Sequence, residues 1–202
     1  MNGKKIIAAV VVVLCAVAFY FCYWTKTPTY SLGLIQDAVQ THDVVKFQKH
    51  VNVNKVIDGV FDSAISAQEE ITGQNIRNNL FALRFLAVIK PGIVSELEKE
   101  VLCKVEGREA TGSKKDYGIV GDSIDNVGES KMQVKDMTVK ESKNGLAYVD
   151  IKAYVPAAEK DMIMTVKMIE LEDGTWCVEE ITNMTEILVE LDRIKKQQAS
   201  QQ

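Results

Sequence analysis

Nineteen consecutive residues, Ile6 to Trp24, carry no charge and no Gly, Pro, Asn or Gln, and few structures can house such a run. As a helix rising about 1.5 Å per residue it covers about 28 Å of a hydrocarbon layer roughly 30 Å thick, enough to span it. A soluble core helix of this length would show a polar face, which this segment lacks. A secretory signal is the other alternative, with an apolar centre of roughly 7–15 residues and a small-residue cleavage site. Ala16-Val17-Ala18 has that form, but "FYFCYW" then prolongs the apolar run, and clustered aromatic residues suit a membrane interface. Cys15 follows Leu14 and Cys22 follows Phe21, so neither has the small residue that a lipoprotein site requires. The expectation is a retained transmembrane anchor over residues 1–24, in contact with lipid through residues 6–24. Lys4, Lys5 and the amino terminus stand against Lys26 alone on the far side. The positive-inside rule then keeps the amino terminus in the cytoplasm and places the rest of the chain outside the cell (inner) membrane.

Beyond the anchor lie 178 of the 202 residues, which suits one domain with a real apolar core. The chain has 24 Lys and Arg against 28 Asp and Glu; without Lys4 and Lys5 the outer part is net −6. That acidic balance disfavours nucleic acid and anionic lipid headgroups, which bind through concentrated positive charge. Of four cysteines only Cys103 and Cys177 belong to this part. An oxidising compartment permits a disulfide between them, while reduced burial in the core is the alternative.

Residues 25–30 read as a short polar linker, and residues 31–196 as a single α+β domain. Helical spacing starts with Leu32, Ile35, Ala38 and Val39, continues with Val44, Phe47 and Val51 behind a capping Asp43, and recurs from Val56 to Ile65 before "TGQN". "IRNNLFALRFLAVIK" is apolar nearly all round and predicts the central, most buried helix, ended by Pro91-Gly92. Ile93, Val94, Leu97, Val101 and Leu102 form a further stripe, which completes a helical half over about residues 31–104. Residues 107–130 are Gly-, Ser- and Asp-rich and predict a loop, with "YGIV" as an edge strand. Over about residues 131–183 the period shortens to two. Ala147, Val149, Ile151, Ala153 and Val155 alternate with polar or aromatic residues, and Met162, Met164 and Met168 share one strand face with Val166. Short links "KNG", "PAAEKD" and "EDG" favour an antiparallel meander of about four strands. A C-terminal helix over residues 184–196 follows, with capping-box spacing between Asn183 and Glu186, and residues 197–202 form a frayed, disordered tail. A helical cluster leading into a curved antiparallel sheet is also the outline of the NTF2-like and cystatin-like cones, a likeness of architecture alone.

Pro28, Tyr30, Leu32, Ala38, Asp43, Phe47, His50, Val51, Asn52 and Val53, directly after the apolar span, resemble a bacterial family of membrane-anchored proteins known as domain-of-unknown-function family 2939. The family usually has Asp at the position of Asn52. The resemblance covers about 40 residues and implies an extracytoplasmic domain tied to a membrane. It brings no catalytic residues.

No spacing in the chain announces a reaction. His42 and His50, the only histidines, lie eight positions apart across a helix break, which is no known metal-ligand spacing, so no metal and no cofactor are expected. "GREATGSK" has the residues of a phosphate loop in the wrong order. There is no G-x-S-x-G turn, and Cys103 with His42 or His50 reads as core rather than nucleophile. Glu69-Glu70, Glu96 with Glu100, and Glu179-Glu180 read as solvated faces rather than acid and base pairs. Arg84, alone among the apolar residues of its helix, would either enter a pocket as a receptor for an anionic ligand or pair with a sheet carboxylate such as Glu180.

The leading expectation is a non-catalytic binding or interaction module of the bacterial cell envelope, with a lipid anchor and an envelope protein as partner. An alternative is a small-ligand carrier or enzyme with a cavity around Arg84 and Trp176 and with Tyr148 or Tyr154 near its mouth. A third is a structural assembly subunit that docks through its sheet.

Overall fold

The structure is a computed structural model that describes residues 3–108 and 133–200. Most of the expected loop at 107–130, including "YGIV", therefore lies outside the described residues. Helix α1, Gly3–Cys22, is the apolar segment. The stretch Ala8–Lys26, which holds most of α1 and the turn after it, has a mean hydropathy of 2.1 and none of it is buried among the described residues, so it is long and apolar enough to cross a membrane.

The expected linker is not slack. Trp24–Lys26 form a 3-10 turn, and helix α2, Pro28–Thr41, begins at once. Thr27 caps it by accepting the Tyr30 backbone N–H, and Pro28 sits where its missing N–H costs nothing. Helix α3, Val44–His50, starts at Asp43, whose carboxylate accepts the Lys46 N–H at 2.9 Å as the sequence predicts. Helix α4, Val53–Thr72, is capped by Asn52 and stops at Gly73, at the start of the expected "TGQN" break. It is the central helix: Val53, Ile57, Phe61, Ala64 and Ala67 are buried. They share one cluster with Ala38, Phe47, Val94, Leu97, Met184 and Leu188 from the surrounding helices.

Helix α5, Leu80–Val105, corrects two expectations. Pro91 lies inside it rather than ending it, and its first half is the least buried part of the helical layer rather than the most. Phe81 is 80% and Val88 79% exposed, and Leu80, Leu83 and Phe85 are exposed as well. Leu86 and Ile93 pack partly against the core and Val94 and Leu97 are buried, so a single face runs past the proline and holds both halves in one rod. The lost hydrogen bond to Ala87 is tolerated for that packing.

The four-stranded antiparallel meander appears as expected: β1 Gln133–Lys143, β2 Leu146–Val155, β3 Lys160–Glu170 and β4 Trp176–Ile181, in the order β1-β2-β3-β4. Asn144 and Gly145, both with positive φ, form the tight turn that matches strand twist between β1 and β2. Ala147, Val149, Ile151, Ala153 and Val155 are all buried on the inner face, opposite Met168, Val166, Met164 and Met162 in register. The methionines thus fill core, Met168 completely. Helix α6, Met184–Ala199, continues through the first half of the expected tail and lays Leu188, Leu191 and Ile194 inward. Asn183 does not cap it. Its amide is used across the chain instead, accepting the Thr165 N–H and donating to the Ile163 carbonyl, each at 2.8 Å.

Candidate functional site

The most elaborate polar arrangement lies where the segment after α1 meets the sheet. Trp176, at the start of β4, is 4% exposed. Its indole N–H donates to the Lys26 carbonyl at 2.9 Å, its backbone N–H donates to Ser31 Oγ at 2.9 Å, and its carbonyl accepts from His50 Nδ1 at 3.0 Å. One residue thereby gathers the end of the 3-10 turn, the first turn of α2 and the last turn of α3. Asn52 N–H donates to the Val178 carbonyl and joins the same helical entry to β4. Beside them Gly174, with φ +79, leaves room for the Lys26 side chain; a Cβ there would stand 2.9 Å from Lys26 Cδ. Lys49 pairs with Asp173 at 2.6 Å. This pairing and the Thr175 hydroxyl and N–H hold the Asp173 carboxyl well below the usual carboxylate range. Chemically the arrangement grips: the Ser31 hydroxyl and the His50 imidazole are buried and engaged with the Trp176 backbone.

Sequence reasoning missed Ser31, whose side chain is fully buried, and the role of Lys26. A signal existed: Ser31 occupies the stripe of Ile35 and Ala38, four and seven positions on, where an apolar residue would be expected. His50, the last residue of α3, is 2% exposed. His42 sits in the left-handed region at the end of α2 with Nδ1 2.9 Å from the Val105 carbonyl.

The residues expected around a cavity do not converge. Trp176 belongs to the sheet core with Leu32, Val149 and Met168. Arg84 lies exposed on the outer side of α5 and makes no ion pair among the described residues; Glu180 is taken by Lys167 at 3.1 Å. Tyr148 and Tyr154 stand opposite Lys167 and Asp161 in register, with the strand parity of the outer sheet face, and Lys135 Nζ lies 5.3 Å from the Tyr154 ring centroid. A cleft of about 220 Å³ does exist, lined by Gln48, Asn52, Asn54, Glu98 and Cys177 among others, but it contains none of the four. Cys103 and Cys177 are both free thiols, and burial pushes the Cys177 thiol up.

Of the paired carboxylates, all but Glu70 are matched with cations among the described residues. Glu69 pairs with Arg77, Glu96 with Lys99, Glu100 with Lys104 and Glu179 with Lys55. Where carboxylate ionisation is displaced it moves down. Burial opposes this at Asp150, but hydrogen bonds from Thr165 and Lys140 prevail; Lys135 lowers Asp161, and Arg193 with Lys160 lowers Glu190 to about 2. None of these groups is a proton donor near neutrality. Among the described residues no three His, Cys, Asp or Glu side chains come together as a metal site.

No protein-family model matches the chain, and neither a curated protein nor a solved structure is similar to it.

Proposed function

We propose that the chain is a single-pass membrane protein of the cell envelope whose α+β domain stands outside the cytoplasm and acts as a non-catalytic binding module. The observation that carries this reading is α1: an apolar helix left uncovered by the described residues, where a core helix would be covered. The domain's chemistry supports the second half of the reading, since its displaced carboxylates are salt-bridged and its buried polar centre at Trp176 is spent on internal grip. Kinship with family 2939 rests on Asp43, Phe47, His50 and the neighbouring positions named above, and belongs to the same proposal. The NTF2-like cone is the finer form of the α+β fold, and its ligand cavity lacks support because Arg84 and Trp176 lie apart. Docking through the sheet has one observation in favour: Val134 and Val139 of the edge strand β1, although in register with Ala153 and Val149 of the inner face, are exposed.

Membrane fractionation with a carbonate wash, followed by protease treatment from the outer side, tests the reading. The intact chain is expected to stay in the washed membrane pellet and to be digested from outside. Recovery of the unprocessed chain in the soluble cytoplasmic fraction would refute it.

A further inference from the structure

We propose that the outward face of α5 from Leu80 to Val88 rests in the headgroup layer of an anionic bilayer, the same bilayer that α1 crosses; this rests on the membrane reading above. The packed side of this half-helix is formed by Ala82, Leu86, Ile89 and Lys90, all partly buried. At 100° per residue the opposite direction is centred on Arg84 and flanked by Leu80, Phe81, Ala87 and Val88. A solvated surface helix reverses this pattern, with charges outward and apolar residues inward.

The domain's net negative charge argues against anionic lipid only if the charge is spread evenly, and it is not. From Ile71 to Ser95 there are three cations, Arg77, Arg84 and Lys90, and no Asp or Glu. Arg77 is held by Glu69 and Ser66, and Lys90 bridges Asp58 and Asp62 of α4 at 2.8 Å each. Arg84 alone has no ion pair among the described residues, and it stands in the middle of the apolar patch. An aliphatic stem among apolar neighbours with its guanidinium at phosphate depth is how a long cation sits at a bilayer surface. Arg84 and Lys90 divide the apolar run into pieces too short to span, which makes the helix interfacial rather than a second crossing.

A second copy of the chain is the rival occupant. Two-fold pairing of this face would bring two Arg84 guanidinium groups into one apolar interface, with no acid between residues 71 and 95 to neutralise them. The bilayer supplies the missing anions and the apolar cover together. It is also held at high effective concentration by the anchor.

The test uses the full chain in vesicles of phosphatidylcholine and phosphatidylglycerol, three to one, with bromine on the acyl chains. Phe81→Trp adds an indole at a position exposed enough to accept it. Trp24, at the end of the apolar segment, serves as the internal control for the anchor in a Trp176→Phe background, which is used for every arm so that the buried second indole does not contribute. Emission from the added indole is expected to be quenched by brominated lipid and shielded from iodide. Adding Arg84→Glu should abolish most of that quenching and leave the Trp24 signal unchanged. If Trp24 is quenched but the added indole is not, the surface contact is overturned while the anchor stands, whether iodide reaches the indole from solvent or a second copy covers it. If Trp24 itself is unquenched, the anchor reading fails and this inference with it.

Discussion

At Trp176 three backbone or side-chain groups from separate parts of the chain meet one residue, and two of the partners, Ser31 and His50, are buried polar side chains. Removing the Ser31 hydroxyl strands the Trp176 backbone N–H, so Ser31→Ala is expected to cost about 1–3 kcal/mol in a denaturant melt. A loss below the scatter of the measurement would show that water replaces the hydroxyl. The Glu190 carboxyl is lowered to about 2 by Arg193 and Lys160. A depressed acid adds stability above its unfolded value of 4.5 and loses it as pH falls through the folded value. The melting temperature of Glu190→Gln should therefore lie below that of wild type at pH 6, and the gap should close between pH 4.5 and about pH 2; a gap unchanged across that range contradicts the assignment. Ser31 and Asn183 show where reading single residues stops. Both look like helix-start residues, but long-range partners, at Trp176 and in β3, decide what they do.

Among the elements, α5 is the one whose sequence and surroundings disagree. Its capping Asn79 accepts both the Phe81 and the Ala82 N–H, so the start is well specified. The proline further along is an internal defect that packing tolerates. Pro91→Ala restores an N–H for the Ala87 carbonyl and relieves the ring clash, and should stabilise the protein by up to about 3 kcal/mol in urea unfolding. Destabilisation would mean that the packed face of α5 depends on the proline's local geometry. Strands and short helices were legible in the chain because alternation and caps are local: the β2 pattern from Ala147 to Val155 and the Asp43 cap are both present in the fold. The depth of α5 was not, because apolarity all round says that water is unwelcome without saying what replaces it. The helix that occupies the centre, α4, has an ordinary amphipathic stripe with Ala64 and Ala67 on it, small enough for neighbours to approach closely.

As a whole the molecule is a helical layer over one face of an antiparallel sheet, with an apolar rod at one end. Six unstructured residues between rod and domain would have given a leash of about 20 Å. Instead the turn at Trp24–Lys26 leads directly into α2, and the indole of Trp176 fastens the last carbonyl of that turn to the sheet. On the proposed reading, with the rod seated in a bilayer, a body mounted so closely cannot roam: whatever it meets must come to the lipid boundary, within one domain's breadth of the point where the rod emerges. That placement, if it holds, would leave soluble factors beyond its reach and keep neighbours seated in the same sheet of lipid constantly within it.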